Sequence, residues 1–220
     1  TYLAEKKYDQ AIRFLSQAQE SLKKMDDSAE LIDFIVNRIE FNKWLVISHS
    51  QRKEEAMISM KKMNDKRYSD LQNGLKNAID EKEKERLKRG FEVGTLFNSV
   101  WSDIVFGEYE DARLNLSEMK QIQEPRLADN PDSLNGYLEL SGYLNLMEGN
   151  IEESLDMYNK RKLRGDMGAY HDYFYALTLK ASGDTEKSEE ILLRIASSAF
   201  STWAVAITKN LAKAQLQTNI

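Results

Sequence analysis

Few residues in this chain could carry acid–base or ligand chemistry. His49 and His171 are its two histidines and it has no cysteine, which excludes disulfides, thiolate nucleophiles and cysteine-based metal sites. Neither histidine falls in a His-Glu-x-x-His pattern, the spacing that puts two imidazoles on one helix face around a metal. Asp172 follows His171 directly, but adjacent helical residues point in different directions, so the two do not form a dyad. Both histidines read as surface or partly buried structural side chains. No Gly-rich phosphate loop and no Gly-x-Ser-x-Gly elbow occurs. Glu152-Glu153 and Glu189-Glu190 are acidic pairs of the kind general acid–base catalysis uses, but helix starts and solvated faces explain their positions. No catalytic residue, metal site or cofactor is expected, and the chain reads as a protein other than an enzyme.

The elements that would position any functional side chain are helices. Of 220 residues, 41% are apolar and 30% charged, a composition that supports a folded core under a heavily solvated surface. Pro125 and Pro131 are the two prolines and glycine numbers ten; so few breakers let helices run almost end to end and disfavour an all-β protein of tight turns. The net charge of −5 and pI near 5.3 argue against a nucleic-acid partner, which needs a concentrated basic face. The run from Asp80 to Arg89 mixes signs, with Asp80/Lys84 and Glu85/Arg89 at helical spacing, as on a solvated helix face. No run of about 18 apolar residues occurs, so membrane insertion is not expected.

Five short segments share one grammar: variable positions, then mostly charged ones, then Ala or Ser. They are Lys6-Lys7-Tyr8-Asp9-Gln10-Ala11, Gln51-Arg52-Lys53-Glu54-Glu55-Ala56, Gly107-Glu108-Tyr109-Glu110-Asp111-Ala112, Gly149-Asn150-Ile151-Glu152-Glu153-Ser154 and Gly183-Asp184-Thr185-Glu186-Lys187-Ser188. Each lies between two apolar helical stretches. Glycine suits the φ > 0 position that ends a helix, and Asn150 and Asp184 suit the turn and the next N-cap. Acidic residues then meet the positive end of the helix dipole. The small residue fits where two helices of a tight hairpin approach closely, so Leu at Ala112 would overpack the crossing by about 1–3 kcal/mol.

These segments resemble the tetratricopeptide repeat family. The small residues are spaced 45, 56, 42 and 34 apart, and the last interval equals that family's period. Gly142 and Ala176, twelve positions before Ser154 and Ser188, meet its demand for a small residue on the first helix, whereas Trp44 and Val100 stand at the equivalent earlier positions. The resemblance is closest over residues 134–197. It implies an all-α solenoid of about five antiparallel helix pairs, irregular in the N-terminal half, with a capping helix at about 201–217. Residues 1–220 read as one helical-repeat domain, with a subdivision at the proline loop 124–132 into 1–123 and 133–220. Period and capping signals place further helices at 9–24, from Asp27-Ser28-Ala29-Glu30 to His49, at 53–63, 69–79 and 109–121, with residues 1–6 closing an earlier one.

In the resembling family the first helices line a concave groove that holds peptides. Counting back from each small residue places Arg38, Phe41 and Leu45 there, then Phe97 and Trp101, then Glu139, Tyr143 and Met147, then Tyr170, Tyr173 and Leu177. Packing between neighbouring helices is the competing reading for Phe41, Phe97 and Trp101. Tyr143, Tyr170 and Tyr173, whose hydroxyls suit a wet surface, are the better groove residues, and Tyr143→Ala or Tyr173→Ala should then leave the melting temperature almost unchanged. The family's Lys and Asn clamp for a terminal carboxylate is not matched, which disfavours chaperone tails. The expected function is a protein-interaction scaffold binding a peptide or extended partner segment. The alternatives are a regulatory or targeting module of a larger enzyme or receptor, and a small-ligand receptor; self-association stays open. The helical pattern starts at once at Thr1, so an N-terminally trimmed chain is expected and the compartment is left undetermined.

Overall fold

The computed structural model describes residues 7–22, 24, 28–199 and 202–217. These form ten α-helices and one short 3-10 turn, with no strand among the described residues. The helices are α1 (Tyr8–Leu22), α2 (Ala29–His49), α3 (Lys53–Asn77), α4 (Glu81–Phe106), α5 (Tyr109–Gln123), α6 (Asn135–Glu148), α7 (Ile151–Lys162), α8 (Ala169–Ala181), α9 (Thr185–Ser197) and α10 (Trp203–Gln217). The expected helical closure at residues 1–6 lies outside the described residues. The chain divides into two compact units, Tyr2–Thr95 and Leu96–Ile220. The division falls inside α4, and the proline loop at 124–132 lies within the second unit.

In the N-terminal unit α2 packs on both α1 and α3. Ser28 caps α2 by accepting from the Leu31 amide at 3.3 Å, and Trp44 to Ser48 at its far end are buried. Two separate helices were expected between 53 and 79, but one runs through. Residues 64–68 contain neither Gly nor Pro, and Lys61–Asp65 (2.9 Å) and Lys66–Asp70 (2.6 Å) brace the junction at i,i+4 spacing. At the start of α4, Asp80 Oδ1 accepts from the Glu83 amide at 2.7 Å while Glu83 Oε2 accepts from the Ile79 amide at 3.0 Å. This is a reciprocal cap. Ion pairs in the mixed-charge run join Glu81 to Lys84 and Glu83 to Arg86, one turn apart.

In the C-terminal unit α6 packs against α7 and α8 against α9, while α8 also lies against α6, α7 and α10. The hairpin contacts explain the small residues. Ser154 and Ser188 are fully buried, and their hydroxyls donate to the carbonyls of Gly142 and Ala176, each at 2.7 Å. A Cβ on Gly142 would come within 2.8 Å of the buried Tyr158 ring, so α6 and α7 touch where only glycine fits. Thr178 on α8 stands 2.9 Å from Ser154 Oγ, joining the next helix to the same crossing. Ala56 and Ala112 are likewise fully buried.

Four interhelical turns have one geometry. Gln51, Gly107, Gly149 and Gly183 have φ of 61°, 78°, 82° and 95°. The amide after each donates to a carbonyl five residues back: Arg52 to Ile47 at 3.4 Å, Glu108 to Asp103 at 2.8 Å, Asn150 to Asn145 at 2.8 Å and Asp184 to Leu179 at 2.9 Å. Each is the left-handed helix end that ties up carbonyls otherwise left open. Three use glycine; the turn after α2 holds glutamine in the same conformation.

Candidate functional site

The side chains expected in a groove separate into two groups. Trp101, Tyr143, Tyr170 and Tyr173 come together in the C-terminal unit as one aromatic cluster on α4, α6 and α8. Tyr170 is its hub, with ring centroids 6.1 Å from Trp101, 6.3 Å from Tyr143, 5.0 Å from Phe174 and 5.4 Å from Trp203 of α10. Tyr143 stacks on Phe174 at 4.0 Å, and Tyr173 meets Phe174 edge-on at 5.3 Å. Their surroundings correct the expectation of wet hydroxyls: Tyr143, Tyr170 and Tyr173 are 5%, 2% and 6% exposed. Burial raises the pKa of the Tyr143 phenol, and that of Tyr170 well above the ordinary tyrosine value. Because α8 packs on both α6 and α10, faces a lone hairpin would leave open are covered by these neighbouring helices. Phe97 is half-buried, its ring held where a Cβ on Gly136 would approach within 3.2 Å.

Beside the cluster lies a buried polar network. Arg161 Nε donates to Glu139 Oε1 at 2.8 Å, and its Nη1 and Nη2 donate to the carbonyls of Gly165 and Asp166 at 3.3 and 3.2 Å. One guanidinium thus fastens the α7–α8 connection to α6. His171 Nε2 lies 3.5 Å from Glu139 Oε2. Burial, with Arg161 nearby, lowers the His171 pKa to about 3, so this imidazole is neutral at physiological pH. Burial raises the Glu139 pKa, opposed by the Arg161 charge. Asp172, also buried, accepts from Lys162 at 3.2 Å and from Arg194 at 3.0 Å. The carboxylates of Glu139 and Asp172 have charged partners, whereas His171 Nδ1 is buried with no hydrogen-bond partner among the described residues. His49 is a second neutral imidazole, its pKa lowered to about 4 by burial. Among the described residues no three metal-ligating side chains converge.

Arg38 and Phe41 behave differently. Both are on α2 in the N-terminal unit, with Arg38 Cζ 5.9 Å from the Phe41 ring centroid and Phe41 5.6 Å from Trp44. Arg38 is exposed and Phe41 half-buried. Leu31 and Phe34 continue the same line toward the helix start, at i, i+3, i+7 and i+10 for Leu31, Phe34, Arg38 and Phe41. Leu31 is 44% and Phe34 68% exposed. Counting back from Ala56 by a regular repeat stops at Arg38 and misses both. The signal that finds them is the length of α2, which extends beyond a regular first helix and carries the stripe with it. No family model matches the chain, and no curated protein or solved structure matches it either.

Proposed function

We propose that this chain is a protein-interaction scaffold: a solenoid of about five helix pairs, similar to tetratricopeptide repeats, that holds a peptide or extended partner segment along its first helices. The observation that carries the reading is the exposed stripe on α2. Leu31 and Phe34 keep large apolar side chains in water, with Arg38 stacked on Phe41 one to two turns on. Apolar side chains grouped on one helix face, beside a cation, supply what recognition uses: area to bury and a donor to orient the partner. The four like turns and the two serine-pinned crossings support the repeat part of the reading.

The test is selection of extended peptides from a display library on the full chain, followed by binding to a Phe34→Ala/Arg38→Ala variant. Both side chains are exposed, so the variant should keep its thermal midpoint while losing about 2 kcal/mol of affinity or more, as expected for truncated anchor residues. Peptides that bind the variant and the parent chain equally would remove α2 as the binding face and refute the reading.

A further inference from the structure

The pairing of α3 with α4 in the N-terminal unit leaves a notch that its own packing does not explain. Tyr68 and Phe91 meet edge-on at 5.9 Å, and Gly74 lets Leu87 approach α3 closely, a Cβ there standing 3.2 Å from Leu87 Cδ1. Helix α4 then places two more glycines, Gly90 and Gly94, one turn apart on one face. Glycine inside a helix lowers its stability, so two at i,i+4 need a reason. At Gly94 a Cβ would fall on the guanidinium of Arg67; at Gly90 it would meet nothing within 4 Å. The first glycine opens a groove and the second makes room for an arginine at its edge. The groove encloses about 310 Å³ and is lined by Arg67, Asp70, Leu71, Arg86, Leu87 and Phe91, with Gly90.

The charged side chains around the groove are paired except one. Lys66 bridges Asp70 at 2.6 Å and Asp33 at 2.8 Å, and Arg86 meets Glu83 at 3.4 Å. Arg67 is half-buried and makes no hydrogen bond or ion pair with any described residue. Burial alone acts on it and lowers its pKa. A guanidinium drawn partly out of water without a carboxylate is unfavourable unless something else supplies the anion.

We propose that this notch binds a carboxylate presented next to an apolar side chain by a polypeptide segment, with Arg67 as the anchor. The planar fork of the guanidinium fits a carboxylate edge to edge. Leu71, Leu87 and Phe91 supply an apolar wall for the neighbouring side chain. A single guanidinium with no carboxylate partner among the described residues matches a monoanion, whereas a phosphate dianion would leave negative charge unmet beside Asp70. The site lies on α3 and α4, separate from the α2 stripe, and does not depend on it.

The experiment uses the full chain labelled with ¹⁵N and follows the Arg67 Nε–Hε signal, assigned by its disappearance in Arg67→Met. The probes are the tripeptide N-acetyl-Leu-Glu-Leu-amide, its Gln counterpart, and inorganic phosphate. A saturable shift with the Glu peptide is expected. Binding, followed for Arg67→Met by the backbone amide shifts of Leu71 and Phe91, should weaken at least about tenfold for the Gln peptide, for Arg67→Met and for Gly94→Ala, in which a methyl displaces the guanidinium but the charge stays. Equal binding of the Gln peptide, no saturable shift, or tighter binding of phosphate would each overturn the proposal. Denaturation supplies the second readout: Arg67→Met should keep or raise the midpoint, because no internal partner is lost. A lowered midpoint would make Arg67 part of the packing and overturn the proposal as well.

Discussion

Gln51 ends α2 in the left-handed conformation, with φ of 61°, where the Cβ of an L-residue crowds the following carbonyl at a cost of about 1–2 kcal/mol. Glycine escapes that crowding but brings extra freedom in the unfolded chain, worth about 0.5–1 kcal/mol. Gln51→Gly should therefore stabilise the chain by about 0.5–1 kcal/mol, while Gln51→Ala, which keeps the Cβ, should not. The same turn geometry at Gly149, with φ of 82°, provides the reverse experiment. Gly149→Gln should destabilise by about 0.5–1 kcal/mol, the same balance with its sign reversed, since no bond or contact is lost and only the backbone is strained. Urea denaturation followed by far-ultraviolet circular dichroism resolves these differences. With a slope of roughly 2 kcal/mol per molar urea, Gln51→Gly moves the midpoint up by about 0.3 M. If Gln51→Gly and Gln51→Ala had the same midpoint, or if Gly149→Gln were neutral, the like geometry of the turns would not carry the strain argued here.

Three further perturbations follow from the packing. Gly142→Ala places a methyl against the Tyr158 ring and should cost about 1–3 kcal/mol by overpacking; an unchanged melting curve would deny the close crossing of α6 and α7. Tyr170→Ala empties the hub of the aromatic cluster and should cost about 3–5 kcal/mol, so a variant that melts with the parent chain would return Tyr170 to an exposed surface. The pH dependence has a definite sign. His171 and His49 have folded pKa values of about 3 and about 4, below the unfolded value near 6.5. Between those limits the unfolded chain binds the proton and the folded chain does not, so stability falls as pH drops below about 6.5. From pH 6 to pH 5 the slope should approach about 1.4 kcal/mol per unit for each histidine, and His171→Gln should remove its share. A slope that His171→Gln leaves unaltered would mean that His171 titrates normally.

The local grammar of the chain was legible because short-range physics writes it. The small residues Ala11, Ala56, Ala112, Ser154 and Ser188 are all buried, and Gly107, Gly149 and Gly183 all take positive φ. Each depends on neighbours a few positions away. The continuity of α3 was harder to read, since the polar residues at 64–68 break the apolar period without breaking the helix. What covers a helix face is not local at all. Tyr143 and Tyr170 have the same side chains whether water or α8 and α10 lie against them, and only the packing of one hairpin on the next decides between these. Trp203 completes the cluster from more than thirty residues away, and no spacing rule on α8 points to it. The notch at Arg67 was invisible for the opposite reason: it is marked by missing atoms, at Gly90 and Gly94, and by a missing partner.

The hydroxyl of Ser154 sits where three helices meet, within reach of the Gly142 carbonyl and of Thr178. Greasy surfaces alone tolerate sliding, because a shift of one helical turn replaces one methyl with another. A hydroxyl facing a single oxygen has no such substitute; displaced by a turn, it would be stranded in a dry interior. The interlock therefore acts as a detent, setting the axial registration of α6, α7 and α8 independently of how tightly they are held.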